Sequence, residues 1–400
     1  MRIKTTKNTK TWKQASAITL VLTLLWGMGQ AHTLPDASAA PSTATCGTGD
    51  HGLTSELKKG SGVEEQQLQF TDINFLNQTT GRAAGKRFLI GTSNAGCTWQ
   101  PIYMGQWQFE QLNFPNNVTG YALAGVKGSS LTYLIRTDDG GSHWKRLSTP
   151  GVPPFKRIDF GDKNNGYGYS YNGAYRTVDG GVNWSEINTP ANTRAATFIT
   201  DKLGYAVVVV PGTGYKIEKT SNGGKSWNTA LQVKSGTWNR ADLYANGSQV
   251  WAILYGDAGM SQQSYSLYAS GDQGENWRQV FAQSTAGAGP APGANQDGKG
   301  TGPANPGGHP GNMALIGKKT AYLSAGSPAA DKVGIGHSFD GGSTWKNIDL
   351  KAQGYSSRIS FPTTKIGWLV VTSTNAPAVY ATTDGGITWS AKILFRSEQN

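Results

Sequence analysis

One short phrase, repeated seven times, constrains this chain more than any other feature. It reads Thr or Ser, any residue, Asp or Asn, any residue, Gly, two further residues, then Trp. It occurs as Thr92-Asn94-Gly96-Trp99, Thr137-Asp139-Gly141-Trp144, Thr177-Asp179-Gly181-Trp184 and Thr220-Asn222-Gly224-Trp227. It recurs as Ser270-Asp272-Gly274-Trp277, Ser338-Asp340-Gly342-Trp345 and Thr382-Asp384-Gly386-Trp389. The tryptophans lie 45, 40, 43, 50, 68 and 44 residues apart. A period of about 40–50 residues with strand-like sequence between copies predicts a β-propeller built from four-stranded blades. Seven phrases predict an all-β, single seven-bladed propeller over residues 66–394.

Each phrase reads as a hairpin turn held by its own side chains. The Asp or Asn oxygen accepts backbone N–H groups of the turn, and Gly supplies a conformation that a Cβ would strain. The Trp opens the next strand and buries a large ring. On this reading Asn94, Asp139, Asp179, Asn222, Asp272, Asp340 and Asp384 are structural. A second pattern lies between phrases. An inner strand ends in an apolar-x-Phe group, as in Ile73-Asn74-Phe75, Leu112-Asn113-Phe114, Ile158-Asp159-Phe160 and Ile359-Ser360-Phe361. The following strand opens Gly120-Tyr121, Gly166-Tyr167, Gly204-Tyr205 or Gly367-Trp368. Two repeats depart from it, with Val250-Trp251-Ala252 and Thr320-Ala321-Tyr322 in that place.

The turn phrase resembles the Asp-box, or BNR repeat, of sialidases, sortilins, xyloglucanases and photosystem II assembly factors. The whole-blade pattern most resembles the photosystem II assembly or stability factor type. That resemblance implies a propeller whose Asp-boxes are scaffold, and a non-catalytic role in binding a protein or complex. The chain lacks the Arg-rich inserted segment of photosynthetic members.

Residues 1–31 read as an export signal. Arg2, Lys4, Lys7, Lys10 and Lys13 precede an apolar run from Ala15 to Met28 and a small-residue cleavage site at Gly29-Gln30-Ala31. The alternative is a segment kept as a membrane anchor. Removing the five basic residues of the leader from the formal +11 leaves +6, with no run of Lys and Arg among aromatics. That balance speaks against nucleic acid as a partner. With 54 glycines, 13 tryptophans and only 15% charged residues, the composition fits a turn-rich all-β protein outside the cytoplasm. Cys46 and Cys97, the only cysteines, are either one disulfide or two free thiols. Residues 32–65 read as a polar lead-in, and the Gly/Pro/Ala-rich residues 283–311 as a disordered loop. Ring closure then falls to packing of the last repeat on the first, or to a strand from the lead-in.

No catalytic or metal motif is found, and no cofactor is expected. No Arg is followed two residues later by Pro, which removes the sialidase Arg-Ile-Pro motif. His51, His143, His309 and His337 are dispersed, and His143 and His337 are expected to face solvent at turns. Arg157, Arg240 and Arg358 each stand three residues before Phe160, Leu243 and Phe361, with Arg194 one residue off the same place. Equivalent positions on inner strands meet around a central channel. The four either form a ring that binds carboxylate, phosphate or an acidic peptide, or each is taken up by a neighbouring Asp or carbonyl. The expected function is an exported, non-catalytic binder of a protein or complex. The alternatives are a glycan-active enzyme and a carbohydrate-binding propeller using Trp238, Tyr244 or Tyr255.

Overall fold

The computed structural model describes residues 46–62, 68–171, 173–237, 239–260, 262–285, 287–295, 299–348 and 350–395. The leader, the start of the lead-in and Trp238 lie outside them.

Six antiparallel sheets follow one another along the chain. The first holds β1 (Phe70–Phe75), β2 (Gly81–Thr92), β3 (Gln100–Asn113), β4 (Gly120–Val126), β5 (Tyr133–Thr137) and β6 (Lys145–Arg146). The second holds β7 (Arg157–Phe160), β8 (Gly166–Tyr169), β9 (Ala174–Thr177) and β10 (Ser185–Ile187). The third holds β11 (Thr193–Phe198), β12 (Gly204–Val210), β13 (Gly214–Thr220) and β14 (Asn228–Lys234). The fourth holds β15 (Ala241–Asn246), β16 (Gln249–Ala258), β17 (Gln263–Ser270) and β18 (Arg278–Gln283). The fifth holds β19 (His309–Ile316), β20 (Thr320–Ser327), β21 (Lys332–Ser338) and β22 (Lys346–Ile348). The sixth holds β23 (Ser356–Ser360), β24 (Gly367–Thr372), β25 (Ala378–Thr382) and β26 (Ser390–Leu394).

The chain is a six-bladed β-propeller, which corrects the expectation of seven blades. The cause is β3. This strand runs 14 residues unbroken, pairing with β2 along its first half and with β4 along its second. The first two repeats are thereby fused into one six-stranded sheet. After the second repeat a proline-rich link, Thr149-Pro150-Gly151-Val152-Pro153-Pro154, interrupts the ladder instead.

Blades are glued by ring stacking. The aromatic near the start of the second strand of one repeat lies flat on the inner-strand Phe of the next: Tyr121 on Phe160 at 3.5 Å, Tyr322 on Phe361 at 3.9 Å and Tyr167 on Phe198 at 5.4 Å. The tyrosine hydroxyls stay satisfied, Tyr121 donating to the Lys163 carbonyl at 2.6 Å and Tyr322 to the Gly385 carbonyl at 2.9 Å. The opening Gly is required because the Phe ring of its own repeat crosses it. A Cβ on Gly166 would come within 2.4 Å of Phe160, and one on Gly367 within 2.3 Å of Phe361. This explains the two departures from the pattern. Val250 pairs with Ala245 and Ala321 with Leu315, so no ring needs the space.

The ring closes between the last sheet and the first. Trp368 stacks on Phe75 at 3.5 Å, the Phe75 N–H donates to Ser360 Oγ at 2.9 Å, and Thr372 Oγ1 donates to the Phe70 carbonyl at 2.7 Å. The lead-in contributes as well. Gly49 bridges Ile393 in parallel, and the Leu394 N–H donates to the Gly49 carbonyl at 3.2 Å. A helix, α1 (Leu53–Ser61), then buries Leu53 and Leu57 against the cluster holding Phe70, Phe88 and Phe395. Cys46 and Cys97 form a disulfide, with Cα atoms 4.9 Å apart, that ties this latch to the first turn.

The described part of residues 283–311 differs from the disordered loop expected of it. Tyr265 donates to the Gly307 carbonyl at 2.9 Å, Gln283 to that of Pro303 at 2.9 Å, and Asn347 to that of Ala304 at 2.8 Å. Ala282 and Thr301 form an antiparallel bridge. The segment docks through its backbone carbonyls, which need no apolar side chains.

Candidate functional site

All seven phrases form the same clasp. The Thr or Ser hydroxyl accepts the N–H of the phrase's Gly at 2.8–3.0 Å. It donates in turn to the Asp or Asn Oδ1 at 2.8–3.0 Å. That oxygen also accepts the N–H of the residue before the Trp, at 2.8–2.9 Å. The residue before that Gly takes a positive φ, even where it is Ala95 (60°) or Gln273 (58°). The Asn276 N–H, followed by the Asn276 side chain, draws the Asp272 carboxyl down to about 2. The side-chain oxygens named here are spent on the turn itself, while turn carbonyls such as those of Gly140, Gln273 and Gly385 accept from neighbouring repeats.

The other polar concentration is the central channel, a cavity of about 530 Å³. Its wall is made by β1, β3, β7, β11, β15, β19 and β23, with β3 serving as an inner strand through its second half. Strand pairing fixes which residues are equivalent. Phe75, Phe160, Phe198, Ala245 and Leu315 face the first residue or residues of the neighbouring strand. Three residues earlier in every repeat stands one ring position, occupied by Asp72, Gln111, Arg157, Ala195, Asp242, Asn312 and Arg358.

This position is where one repeat grips the next. Gln111 accepts the Ile158 N–H at 2.9 Å and donates to its carbonyl at 2.8 Å. Asn312 does the same to Ile359 at 2.8 and 2.9 Å. Arg157 donates to the Ala196 carbonyl at 3.0 Å and also to the Leu243 carbonyl one repeat further on. Ala195 is too short to reach Leu243, so the guanidinium spans both junctions. It lies over the Tyr169 ring at 4.3 Å.

The four arginines named from the sequence all line this cavity, but in different roles. Arg157 and Arg358 are equivalent. Arg240 is not, because Leu243 aligns with Ile158 rather than with Phe160; it sits two residues before Asp242. It pairs with Asp242 at 2.8 Å, and Tyr255 donates to the same carboxylate at 2.7 Å. Arg194 occupies a bulge between Thr193 and Ala195, which turns its side chain toward the lumen. Its guanidinium donates to its neighbour's carbonyl on Thr193 at 3.2 Å and lies 5.3 Å from the exposed Tyr171 ring. Among the described residues Arg358 donates to the Ser357 carbonyl, at 3.4 Å. Among the described residues neither Arg194 nor Arg358 has a carboxylate within 4.0 Å.

Sequence reasoning missed the acids. Five basic and four acidic side chains line the cavity, the acids being Asp72, Glu110, Asp159 and Asp242. The lumen is therefore of mixed charge. Asp72 accepts the Leu112 N–H at 2.7 Å, and burial pushes its carboxyl up to about 6 against the pull of that bond and of Arg358. Desolvation by the surrounding channel wall also raises Asp159, with Arg157 opposing, although its side chain is exposed to the lumen. The signal was present, since a polar residue precedes the apolar-x-Phe group in Asp72-Ile73, Gln111-Leu112 and Arg157-Ile158 alike.

Other named residues fall elsewhere. His143 is exposed and bonds Asp139 at 2.6 Å, but His337 is buried beside Tyr322 and Phe339, contrary to the expectation of a solvent-facing ring. Its phrase differs from the others in placing Phe339 next to it. Tyr255 is buried and Tyr244 is half-buried inside the channel, so neither is an exposed sugar platform.

No protein-family model matches the chain, and no curated protein matches it. Solved structures do. YCF48 from Cyanidioschyzon merolae aligns over 80% of this chain and 97% of its own, with 14% identity and a TM-score of 0.51. The GH74 xyloglucanase from Xanthomonas campestris aligns over 82% of this chain, with 13% identity and a TM-score of 0.52. This chain spans about half, 54%, of that enzyme's length. A YCF48 bound to D1 peptide aligns over 80% of this chain and 92% of its own, at 16% identity and a TM-score of 0.49. At these identities the likeness to the first two structures establishes the β-propeller fold.

Proposed function

We propose that this chain is an exported, non-catalytic propeller of the Asp-box type that binds a protein or protein complex at the mouth of its central channel. The carrying observation is that Arg194 and Arg358 face the cavity with no carboxylate within 4.0 Å among the described residues, while Arg157 and Arg240 are held by the fold. Guanidinium groups so placed take up carboxylates of an acidic segment, with Tyr171 as an exposed aromatic contact beside Arg194. The clasps support the same reading because their acids are committed to turns. Among the channel acids, Asp242 is committed to Arg240 and Tyr255, and Asp72 to the Leu112 N–H. An assembly-factor role like that of the photosystem II type is the family analogy for this reading; a glycan is the alternative ligand.

The test is capture from the native envelope. Wild type and an Arg194→Gln/Arg358→Gln variant, matched in melting temperature, are used as bait, and retained proteins are quantified by mass spectrometry. A specific partner lost with the double variant supports the proposal. Equal capture by both baits places binding elsewhere, and glycan capture by the wild type favours the alternative.

A further inference from the structure

Asp72 makes only half of the grip that amides make at its ring position. At the same position Gln111 and Asn312 each use both amide atoms, accepting an N–H and donating to a carbonyl. A carboxylate offers only acceptors, so Asp72 takes the Leu112 N–H and leaves the donor half of the grip unmade. An amide would hold the junction better. A buried acid in its place points to a use for the charge.

We propose that Asp72 and Arg358 form an acid-operated gate on the channel: ionised Asp72 neutralises Arg358, and protonated Asp72 releases it to an anionic ligand. This rests on the channel-mouth binding reading and adds its regulation. The two residues hold the same ring position on β1 and β23, strands joined through the Phe75–Ser360 bond, and both line the cavity. The groups around Asp72 leave Arg358 as its cationic neighbour. From β2, Asp72 faces Ala84; Arg82 is turned away to the Gly140 carbonyl, Arg87 to that of Gly105, and Lys86 is exposed. From β3 comes Glu110, engaged by the Thr132 hydroxyl at 3.1 Å, and β24 carries no charged residue. Across the lumen stands Tyr244, which burial pushes up to about 12 and which therefore stays neutral. The other acid at this ring position, Asp242, already has Arg240. Burial sets Asp72 to change charge near 6, between neutral and mildly acidic surroundings.

The probe is a short peptide carrying several cysteic acid residues, whose sulfonates stay ionised across the range, measured by calorimetry at about pH 5 and about pH 7.5. Wild type is expected to bind about tenfold tighter at the lower pH, the effect of removing one opposing charge. Asp72→Asn should bind tightly at both values, and Arg358→Gln weakly at both. An Asp72→Asn variant that keeps the wild-type pH dependence overturns the gate. Wild-type binding that is the same at both values removes the gate alone, whereas no binding at either removes the channel-mouth reading along with it.

Discussion

Replacing Asp72 by Asn should make the protein more stable at neutral pH. The folded carboxyl sits near 6 and its ordinary value is 3.8. Folding thus favours the protonated form, and a shift of this size corresponds to about 3 kcal/mol between the two forms. The sign follows from the raised value. The folded state holds the proton more tightly, so the contribution is complete below the unfolded value and is lost as pH rises through about 6. Asn imitates the neutral acid, keeps the acceptor for the Leu112 N–H and adds the donor that Asn312 uses at 2.9 Å. A gain of roughly 1–3 kcal/mol at pH 7.5 is expected, which for a chain of this size raises the melting temperature by about 2–4 °C. Calorimetric melting of both proteins between about pH 4.5 and pH 7.5 reads it. The two curves should converge toward the acid end and separate above pH 6. A variant that melts lower than wild type at pH 7.5, or an offset independent of pH, refutes the reasoning.

Two further outcomes come from the same geometry. Arg157→Gln should lower the melting temperature, because the Ala196 and Leu243 carbonyls lose a shared donor, at about 1–3 kcal/mol; Arg194→Gln should leave stability within about 0.5 kcal/mol, because among the described residues Arg194 bonds the carbonyl of its own neighbour Thr193. Cys46→Ser should loosen the latch, seen as faster hydrogen exchange of the Leu394 amide that donates to Gly49; unchanged exchange there means that α1 and the Gly49 bridge hold without the disulfide.

The clasps were legible because a turn closed by its own side chains is written in consecutive residues. Thr137, Asp139 and Gly141 bond one another whatever surrounds them. The blade number was not, because it depends on where a ladder stops. Between Trp99 and Phe114 the sequence offers a strand without a Pro- or Asn-rich break, and β3 runs through. The arginine ring was half legible. Arg157 and Arg358 share the apolar-x-Phe register, but Arg240 was aligned on Leu243 as though that residue were a Phe, and only the pairing of Ala245 with Val250 corrects it. Residues 283–311 misled for a different reason. Low apolar content signals disorder only if docking needs side chains, and here the carbonyls of Pro303 and Gly307 dock the chain.

The claim that a partner engages the channel mouth is tested most directly by photo-crosslinking in the native envelope. Benzoylphenylalanine replaces Tyr171, an exposed aromatic 5.3 Å from Arg194, or Val182, an exposed residue of a clasp turn. The account predicts one dominant crosslinked protein from Tyr171→benzoylphenylalanine, lost when Arg194 and Arg358 are also changed to Gln, and none from the Val182 variant. A partner crosslinked from Val182 but not from Tyr171 contradicts it.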